Sequence, residues 1–177
     1  MTTIETERLI LRPFSPEDAA DVQRLAGDRG IAETTLSIPH PYEDGMAEAW
    51  INDQAEMLER EEKLIWAITR KQDDALIGSI SLMDIAEGHQ AEFGYWIGVP
   101  YWNSGYCTEA CRALLDYAFN EMNLLRVHAR HLSRNPASGR VMQKLGMQHE
   151  GTRRRHVCKW DVYEDVELYG ILRSDME

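Results

Sequence analysis

The sequence predicts a single mixed α/β domain over residues 1–177, with a central, mostly antiparallel sheet flanked by helices. Segments that alternate apolar and polar residues, as strands do, are interspersed with segments whose apolar residues recur at helical spacing. A chain of 177 residues has the length of one domain, and it contains neither a proline-rich linker nor an internal repeat. Hydrophobic residues make up 44% and charged residues 28%, which argues against disorder.

The predicted elements follow in the order βααβββαβαββ. Ser15 is the predicted cap of the first helix, because a proline and two acidic residues follow it at the positive end of the helix dipole. Gly146 marks the end of the last helix. The strands are predicted at 8–14, 64–69, 76–83, 90–99, 126–132, 149–159 and 166–172, and the helices at 15–27, from 42 or 43 to about 62, 108–120 and 136–145.

The chain is strongly acidic, with 30 Asp and Glu against 19 Lys and Arg and a formal net charge of -11. This argues against nucleic-acid binding, which requires cationic side chains to neutralise phosphates. It is compatible with attraction of a cationic substrate, and equally with a general role in solubility. No apolar run approaches the roughly 20 residues that cross a bilayer. The N-terminal segment MTTIETERLILRPF lacks the apolar core of a signal peptide, so a cytoplasmic protein is expected.

The three cysteines, Cys107, Cys111 and Cys158, are an odd number without the spacing of a disulfide framework. Cys107 and Cys111 lie four residues apart and, with His128 and His131, permit a zinc site. Two small, buryable residues at helical spacing are more often core packing. We therefore predict no metal.

The segment most informative about function is YWIGVPYWNSGYCTEA, residues 95–110. A predicted strand leads here through a loop containing Gly105 into a helix predicted to begin at Thr108. Such a junction aims backbone N–H groups and the positive end of a helix dipole at one point, which suits a pyrophosphate. A glycine turn that simply begins a helix is the alternative. The chain has neither GxxxxGK[ST] nor GxGxxG, which argues against a Walker-type or Rossmann nucleotide site.

This segment resembles the coenzyme A pyrophosphate loop of the GNAT acetyltransferases, whose pattern is Q/R-x-x-G-x-G/A. It is most similar to the branch that contains the ribosomal-protein N-terminal acetyltransferases, where the loop often reads YWGxGYATEA. Four further segments agree with that branch in order: TERLILRPF, IGSISL, AEFGYWI and NPASGRVMQKLGM. The resemblance spans nearly the whole chain. It implies a GNAT-like domain whose sheet splays open at the cofactor cleft, with acetyl-coenzyme A (acetyl-CoA) as cosubstrate.

The resemblance also assigns cofactor contacts to matching positions. It implies that backbone amides of residues 103–108 hold the pyrophosphate and that backbone groups of Ile97 and Val99 pair with the pantetheine arm. Asn135 is placed near the pantetheine, and Arg140 near the adenosine phosphates. The implied cofactor-binding residues are Ile97, Val99, Asn103, Ser104, Gly105, Tyr106, Cys107, Thr108, Asn135 and Arg140.

The loop departs from the family pattern at three positions. Trp102 stands where the wider superfamily has Gln or Arg, Asn103 where this branch usually has Gly, and Cys107 where it has Ala or Gly. Asparagine tolerates a positive φ better than most residues, so the predicted turn survives. Cysteine is small enough to fit beside the cofactor.

Direct acyl transfer needs a neutral amine, a polarised thioester carbonyl and a proton for the departing thiolate. A strand N–H near Ile97 is predicted to polarise the carbonyl. Glu92 is the candidate general base, acting through water, with a plain surface glutamate as the alternative. Glu109, a second acid near the loop, is expected to stabilise the helix dipole and an acceptor-side hydrogen bond.

Two positions of the family's catalytic machinery are altered. Many members carry a tyrosine acid at the position of Met142, and some relatives carry a glutamate at the position of Val157. Ser138 occupies the alternative donor position of the ribosomal-protein branch, so it is assigned as the proton donor near the sulfur. Because the departing thiolate is weakly basic, with a thiol pKa of about 8.5, loss of this donor is expected to slow turnover without abolishing it.

The acceptor is predicted to be the α-amino group of a protein N-terminus, with ribosomal proteins as the model. Weak general-base provision favours an α-amine, with a pKa of about 8, over a lysine amine at about 10.4. Small amines such as polyamines, amino acids or antibiotics are the alternative, because residues 31–50, which build the acceptor cleft, carry no motif. A coenzyme A-binding regulatory protein without catalysis is a further alternative. The resemblance also implies homodimerisation.

Overall fold

Eight strands form one sheet in the computed structural model, which describes residues 2–59 and 63–176. The strands are β1 (Ile4–Glu5), β2 (Leu9–Pro13), β3 (Leu64–Arg70), β4 (Leu76–Ala86), β5 (Gln90–Ile97), β6 (Arg126–Leu132), β7 (Gln148–Lys159) and β8 (Val162–Leu172). The helices are α1 (Ala19–Ala26), α2 (Arg29–Thr34), α3 (Met46–Glu59), α4 (Tyr106–Asn120) and α5 (Pro136–Lys144). The spatial order is β1-β2-β3-β4-β5-β6-β8-β7, with β5 and β6 parallel and the other neighbours antiparallel. The predicted fold class is confirmed.

Two short elements escaped the sequence prediction. β1 has two residues, too few to show an alternation, and α2 has six and contains Gly30, a poor helix former. α4 begins at Tyr106, earlier than the predicted Thr108, and β5 ends at Ile97 instead of Val99. The predicted end of the α3 helix, near residue 62, lies outside the described residues.

The sheet carries different helices on its two faces. α4 and α5 cover one face, here called the α4 face, over the larger core, while α1 and α3 cover the other, the α1 face. Successive residues of a strand point to opposite faces. Phe93, Tyr95 and Ile97 of β5 therefore belong to the α4 face, and Trp96 packs with α1 and α3.

β5 and β6 are paired along only part of their length. Their parallel ladder ends at Phe93 and Ala129. Beyond these residues the two strands separate, and a gap opens between residues 94–97 and 130–132. The implied splay of the sheet is therefore present, and it places both faces within reach of one opening.

Candidate active site

The loop between β5 and α4 ends in a helix N-terminus that no side chain caps. Asn103 and Gly105 have φ values of 59° and 80°, so two left-handed residues turn the chain into α4. Gly105 is the N-cap and offers no side-chain acceptor. The first N–H groups of a helix have no partner within it, so those of Tyr106, Cys107 and Thr108 are available to an anion. Their direction and the helix dipole suit a pyrophosphate.

Glu109 fastens the N-terminal segment of the chain to this loop. Its carboxylate accepts hydrogen bonds from the Thr6 hydroxyl (2.6 Å) and from the backbone N and Nε of Arg8 (2.8 and 2.7 Å). Arg8 also donates to the carbonyl of Ser104 at 3.0 Å, and its guanidinium lies 4.5 Å from the centre of the Tyr106 ring. Burial acts to raise the pKa of Glu109, but these hydrogen bonds outweigh it and hold the pKa below its ordinary value. Glu109 thus stabilises the loop by fixing Thr6 and Arg8 against it.

Trp102 closes the loop against the end of β5. Its indole N–H donates to the carbonyl of Ile97 at 2.5 Å. Gly98 donates its N–H to Ile77 of β4 at 2.8 Å, and because backbone groups alternate in direction along a strand, those of Ile97 face the gap. Val99 lies in a short 3-10 turn, where its carbonyl accepts the N–H of Trp102 at 3.2 Å. Of the two positions assigned to the pantetheine, Ile97 therefore lies on the strand and Val99 beyond it.

The N-terminus of α5 lies at the gap on the α4 face. Asn135 caps this helix by accepting from the Ser138 N–H at 3.4 Å, and its side-chain amide donates to the carbonyl of Thr34 at 3.1 Å. The Tyr95 hydroxyl, on the separated part of β5, lies 2.8 Å from the Ser138 Oγ. Met142 is buried in the core. Tyr95 was not among the predicted site residues, although the alternation along β5 places its side chain on the same face as Phe93 and Ile97.

The Tyr95 side chain is influenced by residues of β5 and α4. The Phe93 ring packs edge-on against it with ring centres 5.6 Å apart, and the thiols of Cys107 and Cys111 on α4 act on its hydroxyl. Burial raises the pKa of Tyr95 well above its ordinary value, and it also raises that of Cys111. The phenol therefore keeps its proton throughout the neutral pH range.

The residues considered for zinc do not converge. The sulfur atoms of Cys107 and Cys111 are 3.9 Å apart. His128 and His131 occupy even and odd positions of β6, so they point to opposite faces of the sheet. Within residues 2–59 and 63–176, no group of three or more His, Cys, Asp or Glu side chains is arranged to hold a metal ion.

On the α1 face, an ion pair and a histidine lie where the two strands begin to separate. Glu92 is 9% exposed, and its carboxylate accepts from Arg130 Nε at 2.8 Å. His128 is the partner of Glu92 in the parallel ladder and so points to the same face. Burial lowers the pKa of His128, which Glu92 only partly offsets, so the imidazole is neutral near pH 7. The predicted base Glu92 is thus engaged by a cation, and a second base, His128, which the sequence indicated only as a candidate metal ligand, lies beside it.

The short helix α2 crosses the mouth of the gap. At its N-terminal end Gly30 packs closely on the loop, because an added Cβ would lie 3.2 Å from Val99 Cγ2 and 3.4 Å from the Trp102 ring. At its other end, the carbonyl of Thr34 accepts from the cap of α5. Lys159, at the tip of the β7–β8 hairpin, donates to the carbonyl of Thr35 at 2.5 Å. The segment that carried no sequence motif therefore links the two sides of the gap.

A bulge in β7 places positive charge near this mouth. The register of β7 against β8 shifts between Arg153 and Val157. Arg153 pairs with Val166 of β8, and Val166 in turn pairs with Leu132, the last residue of β6, so the bulge lies at the end of β6 that borders the gap. Arg153, Arg154 and Arg155 are exposed, and the ion pairs found among the described residues do not include them. The bulge therefore presents three exposed guanidinium groups, with the Asp165 carboxylate accepting from the Arg155 backbone N–H at 2.7 Å, in a chain whose formal net charge is -11.

Most of the implied cofactor positions come together at this gap. Ile97, the loop 103–108 and the α5 cap Asn135 border it from β5, α4 and α5. Arg140 lies one residue beyond the buried Gly139 on α5 and is exposed to solvent. None of the helices in the described ranges has the length and apolarity to span a membrane.

A strand that separates from its parallel neighbour beside an uncapped helix N-terminus is the arrangement expected of an acyl-coenzyme A transferase. The chain matches the family model described as an acetyltransferase (GNAT) domain over residues 8–148. It is 38% identical over 129 residues to the probable N-acetyltransferase YjcK of Bacillus subtilis (strain 168), covering 72% of this chain and 71% of that protein. It is 32% identical over 176 residues to the uncharacterized N-acetyltransferase YnaD of the same organism, covering 97% and 98%.

A crystal structure of a GNAT-family acetyltransferase from Bacillus anthracis superimposes on this chain with a TM-score of 0.87, at 26% identity, covering 99% of this chain and all of that one. The chain therefore belongs to the GNAT acetyltransferase family. It is an N-acetyltransferase, and acetyl-CoA is its cosubstrate.

Proposed function

We propose that the acceptor of this N-acetyltransferase is the α-amino group at the N-terminus of a protein or peptide. The observation that carries this proposal is the Glu92–Arg130 ion pair at 2.8 Å. A carboxylate oxygen that already accepts from a guanidinium has less lone-pair capacity left for the proton of an amine or of a bridging water. An α-amine, with a pKa of about 8, needs less help to become neutral than a lysine amine at about 10.4. Small aliphatic amines share the disadvantage of lysine.

A relative supports the same acceptor class. The putative ribosomal N-acetyltransferase YdaF of Bacillus subtilis (strain 168) is 29% identical to this chain over 180 residues, covering 97% of this chain and 94% of that protein. The loop and the α5 motif of this chain resemble the ribosomal-protein branch in sequence. Both observations favour a polypeptide acceptor over a small molecule.

The residues around the gap take different parts in the reaction. The amine nitrogen forms a bond to the thioester carbonyl carbon, and the proton it loses passes through water to Glu92 or to the neutral His128. The N–H of Ile97 donates to the carbonyl oxygen as negative charge develops there. The carbon–sulfur bond breaks, and the sulfur leaves as a thiolate that accepts a hydrogen bond from Ser138 Oγ. N–H groups of the loop 103–108 and the cap of α5 hold the donor in place.

The charge near the mouth narrows the acceptor further. Arg153, Arg154 and Arg155 favour acceptors that carry carboxylates close behind the amine, and they disfavour polyamines and basic peptides. This local charge opposes the inference from net charge alone, which allowed a cationic substrate. We therefore expect N-terminal sequences rich in Asp and Glu to be preferred.

The test is thiol release from acetyl-CoA with three acceptors: a peptide with acidic residues after a free α-amine, a basic peptide of equal length, and spermidine. The control is the acidic peptide with its α-amine acetylated. Fastest release with the free acidic peptide, abolished by the block, supports the proposal. Release that is fastest with spermidine, or that survives the block, contradicts it while leaving the acetyltransferase activity intact.

A further inference from the structure

Two hydroxyl groups meet across the gap on the α4 face. Tyr95 lies on the separated part of β5 and Ser138 in the first turn of α5, and their oxygen atoms are 2.8 Å apart. The Tyr95 hydroxyl also lies 3.2 Å from the Ser138 carbonyl oxygen. In the proposed reaction Ser138 donates a hydrogen bond to the thiolate, whereas the Tyr95 hydroxyl has no assigned role.

The direction of the hydrogen bond between them decides what Ser138 can do. A serine hydroxyl has a single hydrogen, so it cannot donate to Tyr95 and to a thiolate at the same time. The Phe93 ring packs against the Tyr95 ring, and the thiols of Cys107 and Cys111, which act on the phenol, are weak hydrogen-bond acceptors. A carbonyl can only accept, so the phenol hydrogen is directed either to Ser138 Oγ at 2.8 Å or to the Ser138 carbonyl at 3.2 Å, and the shorter contact favours Oγ.

Burial keeps the phenol in its donor form. The pKa of Tyr95 is raised well above its ordinary value by burial, and the two thiols beside it add to the shift. The phenol consequently carries its hydrogen at every pH at which the enzyme is expected to work. When this hydrogen is directed to Ser138 Oγ, the serine oxygen accepts from Tyr95 and the serine hydrogen is left for another partner.

We propose that Tyr95 is a positioning residue whose hydroxyl, by donating to Ser138 Oγ, turns the serine hydrogen towards the sulfur of coenzyme A. This inference rests on the role of Ser138 in the proposed function. Tyr95 and Ser138 keep their O–H bonds, and the thiolate is stabilised by hydrogen bonding. The pair supplies the donor that the family pattern led us to expect at Met142.

A hydrogen bond to the thiolate lowers the pKa of the thiol in bound coenzyme A, and this can be measured without knowing the acceptor. The probe is coenzyme A itself, bound to the full chain, with the ultraviolet absorbance of its thiolate followed during a pH titration. The variants are Tyr95→Phe, Ser138→Ala and the two combined. Tyr169→Phe is the matched control, because it removes another buried hydroxyl that contacts α5, through Gln143 at 3.3 Å.

Each single substitution at the pair is expected to raise the pKa of the bound thiol by about one unit. The double variant is expected to match Ser138→Ala alone, because the two groups act in series. Affinity for coenzyme A should change less than about twofold, and Tyr169→Phe should leave the thiol pKa unchanged.

The outcomes separate this inference from the proposal beneath it. A raised thiol pKa in Ser138→Ala together with an unchanged one in Tyr95→Phe overturns the role of Tyr95 alone. An unchanged pKa in both overturns the role of Ser138 and, with it, that of Tyr95. Additive shifts in the double variant also contradict the inference, because the phenol would then act on the sulfur independently of the serine.

Discussion

The two faces of the sheet present opposite chemistry at the same gap. On the α4 face lie the hydroxyls of Tyr95 and Ser138 and two cysteine side chains of α4. On the α1 face, a few residues back along β5, Glu92 and Arg130 form an ion pair beside His128. The two environments are separated because successive side chains of β5 point to opposite faces of the sheet.

This difference suits the two halves of an acyl transfer. A departing thiolate is weakly basic and is stabilised well enough by fixed hydrogen-bond donors, whereas an incoming amine must lose a proton to a base. Groups whose environments shift their proton affinities in different ways can take different roles at one pH. In this protein burial raises the pKa of Tyr95 on one face and lowers that of His128 on the other.

The largest expected effect comes from removing the base on the α1 face. We expect Glu92→Gln combined with His128→Gln to lower kcat/KM about 100-fold, because general-base catalysis is worth that much or more. Coenzyme A affinity should be nearly unchanged, since these residues lie on the opposite face. Steady-state kinetics with the preferred acceptor, and calorimetry with coenzyme A, measure the two quantities. If the double variant lost coenzyme A affinity and kept its catalytic rate, the assignment of the base to the α1 face and of the cofactor to the α4 face would be wrong.

The converse effect is expected at the loop. Gly105→Ala forces a side chain onto a residue with φ of 80°, which costs roughly 1–2 kcal/mol, and it disturbs the N–H groups that face the pyrophosphate. We expect coenzyme A affinity to fall about tenfold, equivalent to about 1.4 kcal/mol. Gly88→Ala is the matched control, because Gly88 also has positive φ and lies in open space in the β4–β5 turn. Equal affinity in both variants would remove the loop from the binding site.

The pH dependence should come from the α1 face. Because burial lowers the folded-state pKa of His128, the unfolded chain binds its proton more tightly. Stability is therefore expected to fall as the pH drops from about 6.5 through the lower folded-state value. Chemical denaturation between pH 7 and pH 5 measures this, and His128→Gln should flatten the profile. A profile unchanged in that variant contradicts the assignment, whereas Tyr95→Phe is expected to leave it as in the parent.

The smallest expected effect concerns acceptor choice. We expect Arg154→Glu to lower the preference for an acidic over a basic peptide about threefold, through k_on and in a salt-sensitive manner. Arg173→Glu, just after the end of β8 that lies away from the bulge, is the charge-matched control. The ratio of kcat/KM values at low and high salt is the measurement. Equal effects of the two reversals would show that the net charge matters and the bulge does not.

The sequence predicted the fold and the turn between β5 and α4 because both depend on local signals. The alternation along the strands, the positive-φ tolerance of Asn103 and the glycine before α4 are all visible within a few residues. The ion pair of Glu92 could not be predicted from the sequence, because Arg130 follows Glu92 by 38 positions and contacts it only through the parallel pairing of β5 and β6. Tyr95 and Ser138 are likewise 43 positions apart. Roles that depend on such tertiary pairs need the structure.

The central claim is that the donor binds from the loop and the α4 face while the acceptor is received on the α1 face. Amide chemical-shift mapping, first with coenzyme A and then with an acidic peptide, tests it most directly. The account predicts that coenzyme A perturbs Ile97, the loop 103–108 and the start of α5, and that the peptide then perturbs β6 and the β7 bulge. Shifts from coenzyme A concentrated around Glu92 and His128, with the loop unchanged, would contradict it.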